Sequence, residues 1–205
     1  MPIPKTLAHQ VAAAVRSVAQ AGSTSLGRDC ILHAQAAQHL LVGEGVANVQ
    51  IVAGHAAWRV HPRHPSSVVS HHPAMYGGIV EPNGGGLLFH AWVACGDQVF
   101  DPTTYQFRQK MAELDAIDGG RTPVNWCPDY LLRSRKECVP WRSVRDGFRT
   151  GLFCYDPDQA LTDRVRLELA SGIDRHGATV LELAMQMAKS GQGFRVVGPC
   201  GRAVG

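Results

Sequence analysis

The sequence has little charge of either sign: 20 Lys and Arg stand against 17 Asp and Glu in 205 residues, for a formal net charge of +3. The basic residues are scattered and their densest run, Arg133-Ser134-Arg135-Lys136, is short, so no nucleic-acid footprint is expected and that run reads as a solvated face. Long hydrophobic runs are missing too. No apolar stretch approaches a membrane span, and Thr6 to Ala21 is interrupted by His9, Gln10 and Arg16, which argues against a signal peptide despite the small residues near Ala21. The six cysteines, at 30, 95, 127, 138, 154 and 200, form no CxxC pair and no tight framework, so reduced thiols in a cytoplasm are the simpler expectation. There is no HExxH and no internal repeat. What remains, 45% hydrophobic and 18% charged residues, fits one enzyme-sized domain over 1–205.

The most informative segment is Leu87 to Thr104, LLFHAWVACGDQVFDPTT. With Gly96-Asp97 as a two-residue turn, the flanking runs pair as a hairpin in which Trp92 faces Asp101 and His90 faces Thr103. His90 and Asp101 are then diagonal neighbours on one face, about 7–8 Å apart along the backbone, within reach of an imidazole–carboxylate hydrogen bond. Upstream, Ser23-Thr24-Ser25 and Asp29 offer N-caps to a helix over Ile31 to Val42 that Gly43 and Gly45 end. Cys30, Ala34, Ala37 and Leu41 share one stripe of that helix, so the thiol points inward. A helix N-terminus favours thiolate over thiol, and a nearby imidazolium favours it further.

Around these elements, Pro4 to Gln20 is expected as an amphipathic helix. Ala47 to Ala53 and His55 to His61 read as two strands joined at Gly54, giving an antiparallel sheet of at least four strands. Gln109 to Ile117 is a short helix ended by Gly119-Gly120, and Asp156-Pro157-Asp158 opens the first of two more helices, Gln159 to Ser171 and Ala178 to Lys189. Arg121 to Trp141 carries no clear pattern, and Trp126 to Tyr130 within it reads as a constrained aromatic loop. The fold class is α+β, helices packed on an antiparallel sheet.

The order of a helix-borne Cys30, then His90 in HAWV, then Asp101 in FDPT resembles the transglutaminase-like branch of the papain-like cysteine fold, which also holds the arylamine N-acetyltransferases. The similar pattern covers about residues 25–105, interrupted by a His-, Pro- and Gly-rich insertion over about 60–86, with a helical C-terminal part over about 106–205. The resemblance implies Cys30 as nucleophile, His90 as general base and Asp101 as the residue that orients the imidazole. The implied chemistry is acyl transfer through a thioester with no cofactor, on a peptide, amide or acyl-donor substrate. The backbone N–H of Cys30 is one oxyanion donor, with Gln20 and Trp92 as candidates for a second.

Each residue also has a bland reading: a cysteine in an Ala-rich helix is ordinarily core, a lone strand histidine likewise, and Asp-Pro ordinarily ends a strand. It is their combination that points to catalysis. The histidines His55, His61, His64, His71 and His72, with His90, are a rival metal-binding signal, but their spacing is not diagnostic and no metal ligand set is assigned. The insertion reads as a lid, and Trp58, Tyr76 and Trp92 line a substrate pocket beneath it or sit in the core. Cys95, on the turn, is expected to be exposed. Three functions fit: a peptidase- or amidase-type hydrolase, an acyl or γ-glutamyl transferase on the same triad, and a catalytically inactive interaction module, with or without a metal on its histidines.

Overall fold

In the computed structural model, which describes residues 2–22, 29–62, 64, 67–72, 88–191, 196–197 and 203–204, an antiparallel sheet carries a core on each face. Two helices lead the chain, α1 (Lys5–Gly22) and α2 (Cys30–Gly43). Then come strands β1 (Val49–Arg59), β2 (Val68–Ser70), β3 (His90–Cys95) and β4 (Gln98–Asp101). A 3₁₀ turn over Thr104–Gln106 leads into α3 (Phe107–Asp118), followed by β5 (Leu131–Ser134), the short helix α4 (Trp141–Asp146) and β6 (Phe153–Pro157). Helices α5 (Gln159–Glu168) and α6 (Arg175–Ser190) follow, and β7 (Val196–Val197) pairs with β8 (Ala203–Val204) in a second, two-stranded sheet beside α1.

The expected hairpin forms. Gly96 takes φ +57°, the left-handed conformation that a tight two-residue turn needs at its first position, and Val93 pairs with Phe100. Alternation then separates two sets of side chains. Ala91, Val93 and Cys95 face α1 and α2 in one apolar cluster, while Trp92 and Val99 join Trp58, Phe107, Met111, Phe153 and Tyr155 in the other. Cys95 is therefore buried at 3% exposure, not exposed, because its side chain belongs to the helix-facing set although the turn beside it is open. The stripe on α2 is as expected, with Ala34, Ala37 and Leu41 fully buried.

Three expectations about the sheet are corrected. The two strands expected around Gly54 are one continuous strand, β1. Gly54 is not a turn but a point of close approach, where an added Cβ would lie 2.2 Å from the Asp156 carbonyl of β6. The N-terminal half of β1 pairs with β3 through Gly54, and its C-terminal half pairs with β6 and β2. The insertion is not all loop either, since Val68–Ser70 is the edge strand β2. Nor is the part after residue 105 purely helical: β5 pairs with β4, and β6 with β1, so the sheet draws on both halves of the chain.

The helical expectations fare better, with α1, α3, α5 and α6 within a few residues of their expected spans. Asp158 caps α5 by accepting from the Leu161 N–H at 2.9 Å, so the helix start is as expected, while Asp156 and Pro157 before it belong to β6. Thr162 then docks α5 on β1, its hydroxyl exchanging 3.0 Å bonds with the Ala53 N–H and carbonyl. Arg59, buried at the end of β1, donates to the Val144 carbonyl at 2.7 Å and to that of Arg145, satisfying carbonyls at the C-terminus of α4. Among the described residues no helix is long and apolar enough to cross a membrane.

Candidate active site

Helix α2 packs against β3, and Cys30 is the first residue of that helix, beside His90, the first residue of the strand. Asp29 holds the N-cap position, but its carboxylate makes no capping bond to the helix. Instead Oδ1 lies 3.4 Å from the donating Gln106 Nε2, while Oδ2 is buried with no hydrogen-bond partner. His33, one turn on and 1% exposed, bonds the Asp29 carbonyl through Nδ1 at 3.0 Å and the Tyr105 hydroxyl through Nε2 at 3.0 Å. These contacts fasten the start of α2 to the 3₁₀ turn that follows Asp101. Ser23, Thr24 and Ser25, the other expected caps, lie outside the described residues.

His90 and Asp101 are completely buried and meet as the hairpin register requires, with Nε2 2.9 Å from Oδ2. An ionised carboxylate only accepts, so Nε2 carries the proton. The Asp101 oxygens are otherwise filled. Oδ1 accepts from the Thr103 N–H at 2.9 Å and its hydroxyl at 2.8 Å, and Oδ2 accepts from the Tyr155 hydroxyl at 2.7 Å. Trp58 Nε1 in turn donates to Tyr155 at 2.9 Å. Burial works against the charge on Asp101, but His90 and these donors outweigh it and bring its pKa down to about 2. Burial alone would likewise strip the proton from His90; Asp101 first, and Cys30 after it, raise its pKa to about 9.

With Nε2 engaged by Asp101, the nitrogen left for Cys30 is Nδ1, which is buried without a regular hydrogen bond. The thiol and the ring are close enough to couple. Burial raises the Cys30 pKa, yet His90 above all, then Lys110 and the Ala91 backbone, bring it below the ordinary thiol value. Together the shifts favour a thiolate–imidazolium pair, the form in which a cysteine is nucleophilic.

Trp58 and Trp92 are 0% and 1% exposed and do not line an open pocket. They share the His90 face of the sheet, where α3 covers them. Trp58 meets the imidazole edge-on, with centroids 5.0 Å apart, and Trp92 lies nearly parallel to it at 6.3 Å. Their part is to lock the ring. Tyr76 lies outside the described residues, as does most of the expected lid. Gln20 sits in the last turn of α1 and Trp92 in the core; neither is brought to Cys30 by any contact of the described structure. Among the described residues no group of three or more His, Cys, Asp or Glu side chains is arranged to hold a metal ion. His55 and His72 do approach each other, at 5.5 Å between centroids, but His72 stacks on Trp141.

Tyr155 and Lys110 are absent from the sequence expectations, and the roles of Thr103, there only the residue facing His90, and of His71, there only a candidate metal ligand, are new. Thr103 was legible: an aspartate two residues before a threonine, across a proline, is an Asx-type turn that binds its own backbone. Lys110 left a fainter signal, standing three residues after Phe107 and one before Met111 on the buried face of α3. Tyr155 belongs to a strand that the sequence pattern does not show, and His71 stands out only as one of the histidines of the metal-binding signal.

No family model matches the chain, and no curated protein matches it. It is similar in fold to a solved structure described as the crystal structure of genomics APC5867, with a TM-score of 0.64 over 98% of this chain and 90% of that one. The two are 14% identical, so the likeness concerns the fold alone.

Proposed function

We propose that the protein is a cysteine-dependent acyl-transfer enzyme of the transglutaminase-like, papain-like type, most simply a peptidase- or amidase-type hydrolase. The observation that carries this reading is the buried His90–Asp101 pair at 2.9 Å set against a cysteine at a helix N-terminus. A helix bearing the cysteine, followed in the chain by antiparallel strands bearing the histidine and the acid, is the order the resemblance implies. A buried imidazole bonded to a carboxylate that three further hydrogen bonds fix has no evident structural purpose, whereas orienting a base requires such rigidity.

In the reaction, the Cys30 Sγ lone pair attacks the substrate carbonyl carbon and the π electrons move to oxygen. The Cys30 backbone N–H, unpaired by the helix ladder, is placed to stabilise that oxyanion. Collapse re-forms the carbonyl and breaks the bond to the leaving amine, which takes the proton from His90 Nδ1. Water then gives its proton to His90, attacks the thioester and releases the acid and the Cys30 sulfur. Asp101 holds the tautomer throughout. An amine in place of water makes the same sequence a transferase. Cys30, Cys127, Cys138 and Cys154 carry free thiols, in keeping with the expectation of a reducing compartment such as the cytoplasm.

The test is acyl-enzyme capture. Incubation with p-nitrophenyl acetate should leave one acetyl group on Cys30, seen by peptide mass spectrometry, and none in Cys30→Ser, with slow formation in His90→Ala. Faster discharge of that adduct by added amine than by water identifies a transferase. An adduct spread over other residues, or equal in His90→Ala, contradicts the proposal.

A further inference from the structure

Lys110 is the buried charge that the reaction above does not use. It lies on the inner face of α3 between Phe107 and Met111 at 8% exposure, and among the described residues it makes no ion pair. Its ammonium reaches His71 Nε2 at 3.0 Å. An ammonium can only donate, so His71 accepts at Nε2 and is neutral, its own proton on Nδ1. Burial, then Lys110 and His90, hold the His71 pKa well below its ordinary value, in keeping with that state. The His71 ring lies nearly parallel to that of His90, with centroids 5.2 Å apart and planes 21° apart, and the His71 backbone N–H is fixed on the Ala56 carbonyl at 2.7 Å. The lysine is thus held at a set place beside the Cys30–His90 pair.

Buried like-signed charge is costly unless balanced. Around Cys30 stand His90 on β3, Asp101 on β4, Lys110 on α3, Asp29 at the head of its own helix, and His71 beyond β2, with Tyr155 on β6 bonded to Asp101. With the thiolate formed, the negative charges of Cys30 and Asp101, with the Asp29 carboxylate near them, face the single imidazolium of His90. Lys110 supplies a second positive charge. Burial lowers the Lys110 pKa from its ordinary value, and the negative charge of Cys30, then of Asp101, Asp29 and Glu113, works against that loss.

We infer that Lys110, steered by His71, is a positioning residue that serves as the second counter-cation of the Cys30 thiolate, so that the nucleophile depends on a Cys–His–Lys charge arrangement and not on His90 alone. The inference rests on the reading of Cys30 as nucleophile. A lone exposed lysine would be screened by water, but one held out of water against a neutral imidazole is screened less from its neighbours.

The experiment follows iodoacetamide labelling of Cys30 against pH in wild type, Lys110→Met and Lys110→Arg, with near-ultraviolet circular dichroism to confirm the fold. Lys110→Met should raise the labelling midpoint by about one pH unit, so that labelling below it is about tenfold slower; Lys110→Arg should restore most of the wild-type midpoint. A purely structural lysine would change melting without moving that midpoint. As a second measurement, melting temperatures at pH 8 of Cys30→Ser, Lys110→Met and their combination should be non-additive, the loss from Lys110→Met being smaller once the thiolate is gone. Additive effects, or an unmoved midpoint in Lys110→Met, overturn the inference. If wild-type Cys30 itself labels only at the ordinary thiol pH, it is the nucleophile reading that has failed.

Discussion

The Tyr155 hydroxyl donates at 2.7 Å to the same Asp101 oxygen that lies 2.9 Å from His90 Nε2. A residue from β6, 54 positions along the chain, therefore sets the acid that orients the base. Burial, with Asp101 beside it, raises the pKa of that phenol well above its ordinary value, so Tyr155 stays a donor at any working pH. Tyr155→Phe removes the bond to Asp101 and leaves Trp58 Nε1 buried without an acceptor. We expect a loss of about 1–3 kcal/mol in urea unfolding, and partial recovery when Trp58→Phe is added, because the orphaned donor is then gone too.

The titrations give stability a two-sided pH dependence. His90 has its folded pKa raised from 6.5 to about 9, so its contribution is full below 6.5 and is lost as pH rises toward 9. Asp101 has its folded pKa lowered from 3.8 to about 2, so its contribution is full above 3.8 and is lost as pH falls toward 2. Cys30, lowered from 9.0, gains as His90 loses and masks part of the alkaline fall in the wild type. Thermal melts across pH should therefore show Cys30→Ser falling more steeply than wild type between 6.5 and 9, and both falling below 3.8. A flat alkaline limb in Cys30→Ser contradicts the assignment of a raised histidine.

The hairpin and the cysteine helix were legible because local rules decide them: a Gly-Asp turn fixes register, register fixes which side chains share a face, and an Ala-rich stripe fixes which side of α2 is buried. From that register alone, His90 and Asp101 were expected to meet. What stayed hidden depends on long-range pairing. Gly54 looked like a turn because the carbonyl that presses on it comes from Asp156, and β5 and β6 are short strands whose partners lie far along the chain. Trp58 and Trp92 read equally as pocket or core, and only the cover given by α3 decides for core. Lys110 reads as solvated because a helix lysine ordinarily is, and the apolar neighbours Phe107 and Met111 that mark its face of α3 as buried are a weak signal against that expectation.

Gly54 gives a direct check on that correction. If it were a turn glycine, alanine would be tolerated at a suitable φ; here a Cβ would meet the Asp156 carbonyl at 2.2 Å and the Asp158 nitrogen at 2.8 Å. Both contacts are backbone and cannot swing away. Gly54→Ala should cost about 1–3 kcal/mol or more in chemical denaturation, while Gly43→Ala, with open space around it, should cost little.

The most direct test of the thiolate–imidazolium pair is the pH dependence of iodoacetamide labelling at Cys30, resolved by peptide mass spectrometry, in wild type and His90→Ala. Cys154, whose thiol burial pushes up to about 12, serves as the internal slow control. The account expects Cys30 to label with a midpoint below the ordinary thiol value of 9.0 in the wild type, and the advantage to vanish in His90→Ala. Slow labelling of Cys30 that is indifferent to His90 contradicts it.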